Sequence, residues 1–250
     1  MSRPRASRVL VVDFADPDPA LLDLAAQVLL SGGLAAFATE TVYGLGAIAT
    51  QPAAVARIFA VKGRPAFNPL IVHVADIEQA RQCAREWPEQ AQRLAAQFWP
   101  GPLTLVLRRT AVIPDLVTAG KDTVALRAPA GAVARGLIER VRQPVAAPSA
   151  NRSNAISPTR AEHVLADLDG QIDVVIDSGP TTLGLESTVL DLTGEFPRLL
   201  RPGPISRSDL ELALDDVAAL GVLGDEFGST GGYGDSALRA FGLEGNVNLR

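Results

Sequence analysis

The stretch VKGRPAFNPLIVHV, residues 61–74, changes character twice. The run before it, 52–61, opens with Pro52 and spaces its apolar residues as a helix does. Gly63 stops that helix and Pro65 prevents its resumption. From residue 69 the chain reads PLIVHV, a short apolar strand. A helix handed through a stiff turn to a strand is the repeating unit of an α/β fold. The turn carries two cations, Lys62 and Arg64, at a break where no helix continues. Arginine offers a planar fork for phosphate or carboxylate, and lysine a compact point charge. Together they suit a polyphosphate clamp. The plain alternative is a solvated helix end whose cations complement the helix dipole.

Outward from this stretch the same alternation recurs. Strands are predicted at 8–14, 34–38, 69–74, 103–109, 123–128, 145–147, 172–176, 188–192 and around 199–200. Helices are predicted at 19–30, 52–61, 76–85, 88–98, 131–141, 157–168 and 206–217. In the first, Leu21, Leu22, Ala25, Val28 and Leu29 share one face, and Gly32-Gly33 stops the run. Ser157-Pro158 is expected to open the 157–168 helix, and Ser206 and Asp209 are spaced as a capping box. Some strands adjoin with no helix between them, which argues for a mixed sheet rather than a strictly doubly wound one. After about residue 220 the chain is glycine-rich and weakly periodic. The expected organisation is one domain over 8–216 and a tail or small appendage over 217–250.

Composition narrows the chemistry. The chain has 250 residues, 47% hydrophobic and 20% charged, enough for a sizeable core. A net charge of -5 disfavours a broadly basic nucleic-acid surface. One cysteine, Cys83, excludes an internal disulfide and any cysteine-built metal site. Two histidines are too few for an ordinary zinc site. The N-terminus lacks the long apolar core of a signal peptide, and no apolar run approaches a membrane span, so the expectation is cytoplasmic. No Ser-His-Asp order, Walker lysine motif or GxGxxG appears.

Further stretches carry candidate chemistry. ATETVYGLGA, 38–47, sets hydroxyls and glycines on a strand-to-loop edge, where a small ligand can approach closely; a tight turn is the alternative. VAAPSANRSNAISPT, 145–159, ends a strand in small polar residues, and the helix expected to begin there offers free amides to an anion. WPGPLTLVL, 99–107, reads as a stiff scaffold corner. Arg127 lies near the end of an apolar strand and needs an anionic partner, from the core or from a ligand. Arg201 ends another strand before Pro-Gly-Pro. His73 on its strand reads as a satisfied core residue. The sum is an α/β domain with a cationic, hydroxyl-lined cleft for an anionic small molecule, a nucleotide by preference.

These stretches, in this order, resemble the YrdC/Sua5 family of threonylcarbamoyl-adenylate synthases. The resemblance runs through TETVYGLG at 39–46, KGRP at 62–65, NPL at 68–70, WPGPLT at 99–104, LRAP at 126–129, APSAN at 147–151, SPT at 157–159, STV at 187–189 and RPG at 201–203. Several ordered motifs together are far more specific than any one of them. The resemblance implies a YrdC-like twisted mixed sheet with flanking helices around a large cationic cavity. It implies synthesis of L-threonylcarbamoyladenylate from L-threonine, bicarbonate and ATP with release of pyrophosphate, for N6-threonylcarbamoyladenosine at position 37 of tRNAs reading ANN codons. It implies a catalytic set of Lys62, Arg64, Ser149 and Asn151. ATP would be bound by Arg64, Asn68, Thr123, Ser149, Ser157 and Arg201, and L-threonine by Thr41, His73, Arg127, Ala147 and Ser187. Mg2+ would accompany ATP, with no prosthetic group and no dedicated metal cage. Separate proteins would transfer the product to tRNA, and a direct tRNA contact stays open. Ala38 stands where the family often has proline or serine, and Asn154 where it often has glycine. Long family members add a linker tyrosine and a second domain; nothing around Tyr233 matches that linker. The competing expectations are a carbamoyl-phosphate-dependent carbamoyltransferase of the same fold and a non-catalytic double-stranded RNA or tRNA-binding module. Both predict indifference to threonine.

Overall fold

The computed structural model describes residues 6–214 and the backbone of Gly221–Val222. The rest of the expected 217–250 tail, Tyr233 included, lies outside the described residues. Eleven strands are described: β1 (Arg8–Val11), β2 (Ala35–Ala38), β3 (Tyr43–Ile48), β4 (Ile71–His73), β5 (Leu103–Arg108), β6 (Thr123–Arg127), β7 (Val145–Ala146), β8 (Val174–Asp177), β9 (Thr188–Asp191), β10 (Arg198–Arg201) and β11 (Gly221–Val222). They form one sheet in the order β1-β8-β2-β3-β7-β4-β6-β5-β9-β10-β11. The sheet is mixed, as expected. β8 runs parallel to both β1 and β2, and β4 runs parallel to β6. β3 lies antiparallel between β2 and β7, and β5 is antiparallel to β6.

The helices are α1 (Pro19–Leu30), α2 (Pro52–Lys62), α3 (Ile77–Cys83), α4 (Glu89–Phe98), α5 (Asp115–Thr118), α6 (Ala132–Val141), α7 (Ala161–Leu168) and α8 (Arg207–Leu214). Strand side chains alternate between faces, and β2 shows the consequence. Ala35 and Phe37 pack with α1 and α6, whereas Ala36 and Ala38 join the larger core of α2, α3, α4, α7 and α8. A third apolar group, Val106, Ala125, Val189 and Leu200, contains no helix residue. Val189 and the adjoining Ile71 reach the wall of the cleft described below. The cleft therefore opens over strands that no helix of this group covers.

Three local expectations change. The 38–47 stretch is a loop edge only at 39–42, which lines the cleft described below; from Tyr43 it continues as β3, paired with β2 to Gly46. Gly44 lies on the cleft wall, and Gly46 serves packing inside the strand. A Cβ on Gly46 would stand 2.7 Å from Phe37 Cε1 and 3.0 Å from Val145 Cγ1. The helix expected from residue 157 begins at Ala161. Pro158 is held back because its carbonyl accepts the Tyr43 amide at 2.8 Å, and the Ser157 hydroxyl is spent elsewhere. The short turn α5 and the two-residue β11 were not expected, having no periodic signal at their length, whereas β10 falls at the strand expected around 199–200.

Candidate active site

The α2 helix carries the first cation. Gly63 ends it in the left-handed region at φ 59°, a conformation glycine adopts without strain. Lys62, the last helical residue, is thereby turned inward and is only 3% exposed. Its Nζ donates to the carbonyl oxygens of Ser149, at 2.5 Å, and Asn151, and lies 3.4 Å from Asn151 Oδ1. Burial, reinforced by the nearby Arg64 charge, lowers its pKa to about 7. Arg64 donates to the carbonyls of Asn68 at 3.1 Å and Pro69 at 2.9 Å, and burial brings its pKa down to about 10. Asn68 is buried, and its Oδ1 accepts no hydrogen bond.

The strands supply the next wall. β4 and β6 run side by side with His73 opposite Arg127. Arg127 is 3% exposed and held three ways: Nε donates to the Gly101 carbonyl at 3.1 Å, Nη1 to Thr41 Oγ1 at 2.9 Å, and Nη2 to Glu40 Oε1 at 2.5 Å. The other Glu40 oxygen accepts the Ala130 and Gly131 amides. The partner Arg127 required is thus a core carboxylate. His73 Nδ1 has no partner. Burial, with the Arg127 charge beside it, drops the imidazole pKa to about 3, so the ring is neutral at physiological pH. It is buried as expected but unsatisfied, which sets it apart from an ordinary core histidine.

β9 and β10 close the site. Arg201 donates from Nε to the Ser187 carbonyl at 2.9 Å, from Nη2 to Ser187 Oγ at 3.0 Å, and from Nη1 to Glu186. Ser187 Oγ also shares a 2.8 Å hydrogen bond with Thr104 Oγ1. On the facing side Leu45 and Ala150, by their amides, fasten the 148–150 loop to β3, so Ser149 and Asn151 project from a braced backbone.

One cleft is lined by Thr41, Lys62, Arg64, Asn68, His73, Arg127, Ala147, Ser149, Asn151, Ser187 and Arg201, all predicted site residues. It encloses about 940 Å³ of non-atom space, the open solvent at its mouth included. Two predicted residues do not line it. Ser157 stands behind the wall, donating to Glu186 at 2.8 Å. Thr123 pairs with Arg108 at the far end of β6 from Arg127, and four residues along a strand is roughly 13 Å. The anion-binding helix N-terminus expected near 157 is not part of the wall either; α7 starts too late. Two carboxylates were missed. Glu40 sits within the quoted TETVYGLG, and the demand of Arg127 for an anion was its signal. Glu186 precedes STV directly, with no sequence cue beyond that neighbour.

The profile of the Sua5, YciO and YrdC family, described as "Telomere recombination", matches residues 27–203. The chain belongs to the Sua5/YrdC family. It is 53% identical over 194 residues to the threonylcarbamoyl-AMP synthase of Pyrococcus abyssi, a match covering 78% of this chain and 57% of that protein. It is 48% identical over 194 residues to the same-named protein of Bacillus subtilis, covering 77% of this chain and 56% of the other. Among solved structures, P. abyssi Sua5 complexed with L-threonine superposes with a TM-score of 0.83 at 48% identity, over 86% of this chain and 62% of that one. The chain thus spans a little over half the length of these curated relatives. Within the Sua5/YrdC family the mixed sheet with flanking helices is the shared fold.

Proposed function

We propose that the chain makes L-threonylcarbamoyladenylate from L-threonine, bicarbonate and ATP, releasing pyrophosphate, for N6-threonylcarbamoyladenosine formation in tRNA. The observation that carries this reading is the pair Lys62 and Arg64. A buried lysine and a half-buried arginine rest on carbonyl oxygens rather than on carboxylates, in the same cleft as a firmly held Arg127. Charges held that way are anchored but not neutralised, and they suit an anion that the protein does not itself supply.

The chemistry follows. Bicarbonate yields CO2 with loss of hydroxide; the neutral threonine amine adds to the CO2 and loses a proton, which the hydroxide takes as water, leaving a carbamate. A carbamate oxygen attacks the α-phosphorus, and the bond to pyrophosphate breaks. Negative charge grows on the phosphate and on the leaving group, where Lys62, Arg64 and Arg201 stabilise it. Arg127 has guanidinium donors left for the threonine carboxylate, with Thr41 and Ser187 hydroxyls beside it. Neutral His73 is an acceptor or donor without adding charge. No side chain need form a covalent bond to substrate. Mg2+ fits as the companion of the nucleotide. Among the described residues no group of three or more acidic, His or Cys side chains could hold a metal, and Mg2+ is ordinarily bound by phosphates with one or two carboxylates. Among the described residues no helix is long and apolar enough to cross a membrane. In this proposal the chain works in the cytoplasm and passes its product to separate transfer proteins acting on tRNA.

The test is pyrophosphate release from ATP and bicarbonate, with and without L-threonine, beside a Lys62→Ala variant. Threonine-dependent release that falls at least 100-fold in the variant is the expected result, the scale at which loss of one stabilising charge registers. Release indifferent to threonine, from folded protein, would sink the proposal.

A further inference from the structure

Among the described residues Glu186 is the only carboxylate lining the cleft. Its position is odd for a site read as a polyphosphate receptor. One oxygen accepts from Ser157 Oγ at 2.8 Å and the other from Arg201 Nη1. The resemblance assigns both Ser157 and Arg201 to the nucleotide; Arg201 lines the cleft, whereas Ser157 braces the carboxylate from behind the wall. The charges of Lys62 and Arg64 also act on it and favour its ionised form, as does Arg201 more strongly, against the burial that opposes it. The Glu186 side chain is 37% exposed and Arg201 13%, so an incoming group can reach the carboxylate face of the pair. An anion already sits where the cations converge.

We infer that Glu186, braced from behind by Ser157, is a resident stand-in for the nucleotide's anion, holding Arg201 in place on the cleft wall and surrendering it when phosphate binds. The inference rests on the ATP reading above. Its physical logic is like-charge exclusion. A phosphate approaching Arg201 from the cleft meets the negative charge of Glu186 on the same guanidinium, a repulsion relieved when the carboxylate moves away. While it stays, Glu186 keeps Arg201 oriented and keeps the cleft from presenting an uncompensated cluster to every passing anion. It is therefore a positioning residue that also sets anion affinity.

The experiment is calorimetric titration of wild type and Glu186→Gln with pyrophosphate, ATP and adenosine, each with EDTA and with Mg2+. The amide keeps the shape and removes the charge. Pyrophosphate and ATP are expected to bind on the order of tenfold tighter to the variant without Mg2+, with adenosine unchanged. Unchanged or weaker binding of both anions without Mg2+ overturns the inference. Weakening confined to the Mg2+ arm, with no gain in EDTA, overturns it in favour of Glu186 as a metal ligand. A wild type that binds neither ATP nor pyrophosphate defeats the ATP reading itself, a separate failure. A crystal structure of the wild type with pyrophosphate gives a readout independent of any variant. Arg201 and Glu186 parted, with phosphate on Arg201, supports the inference; the pair intact overturns it.

Discussion

Lys62 shows what a buried cation without a carboxylate does to binding. Burial lowers its pKa to about 7, so without a bound anion it is largely neutral at pH 8. A bound polyphosphate favours the charged form and raises that pKa. Pyrophosphate binding at pH 8 should therefore take up protons, up to about one per chain, and Lys62→Met should abolish the uptake. Calorimetry in two buffers of different ionisation enthalpy measures it. His73 acts on stability in the opposite pH range. An unfolded histidine accepts a proton near 6.5, whereas the buried ring refuses it until about 3. The associated stability is fully present above pH 6.5 and is lost as pH falls through that window. Urea unfolding of His73→Asn between pH 7 and pH 4 should show a shallower acid loss than wild type. Glu40 belongs to the same scale. Glu40→Ala leaves Arg127 buried without its carboxylate and should cost about 3–5 kcal/mol by urea unfolding. The cations of this site were legible because charged residues at breaks between apolar elements violate the local pattern. The carboxylates were not, since Glu40 and Glu186 stand in polar stretches where an acid is unremarkable.

Among the elements, length and punctuation decided what could be read. The spacing predicts a helix over 19–30, and α1 occupies Pro19–Leu30 because Pro19 and Gly32 bracket an unbroken apolar face. The 206–217 prediction captured the cap of α8, where Ser206 and Asp209 bond reciprocally through side chain and backbone. Ser206→Ala should lower stability by about 1 kcal/mol in thermal melts. β3 was not legible as a strand because its two glycines look like loop when the neighbouring strand is unknown. What placed Gly46 there is contact with Phe37 and Val145 from adjacent strands, information that no window of sequence contains. Gly46→Ala should cost about 1–3 kcal/mol by overpacking, without changing the cleft cations. Chemical denaturation of that variant, beside an unchanged pH dependence of pyrophosphate binding, separates scaffold from site.

Over the whole molecule, the fold class was readable because strands and helices alternate visibly, and the mixed sheet because several strands adjoin. The strand order was not readable, since pairing is set by contacts between residues far apart in the chain. The candidate site depends on that order. It gathers α2, β3, β4, β6, β9 and β10 with the loops at 39–42, 63–69, 147–154 and 186–187. Net charge is -5 while the cleft wall gathers Lys62, Arg64, Arg127 and Arg201, so a sequence total conceals the local field. Hydrogen exchange should slow in those loops when pyrophosphate binds and stay unchanged along α1 and α6, which pack away from the cleft. The strand order also bears on the history of each molecule at the ribosome. β8 is inserted between β1 and β2, although about 135 residues of chain separate it from β2. Until residue 174 has been synthesised, the first strand has no neighbour and β2 offers a bare apolar edge to other chains. Folding must then wait for a late strand to enter a gap held open by early ones, a slow, non-local closure. The interval of greatest exposure to misassociation thus falls during translation, before the cleft has formed.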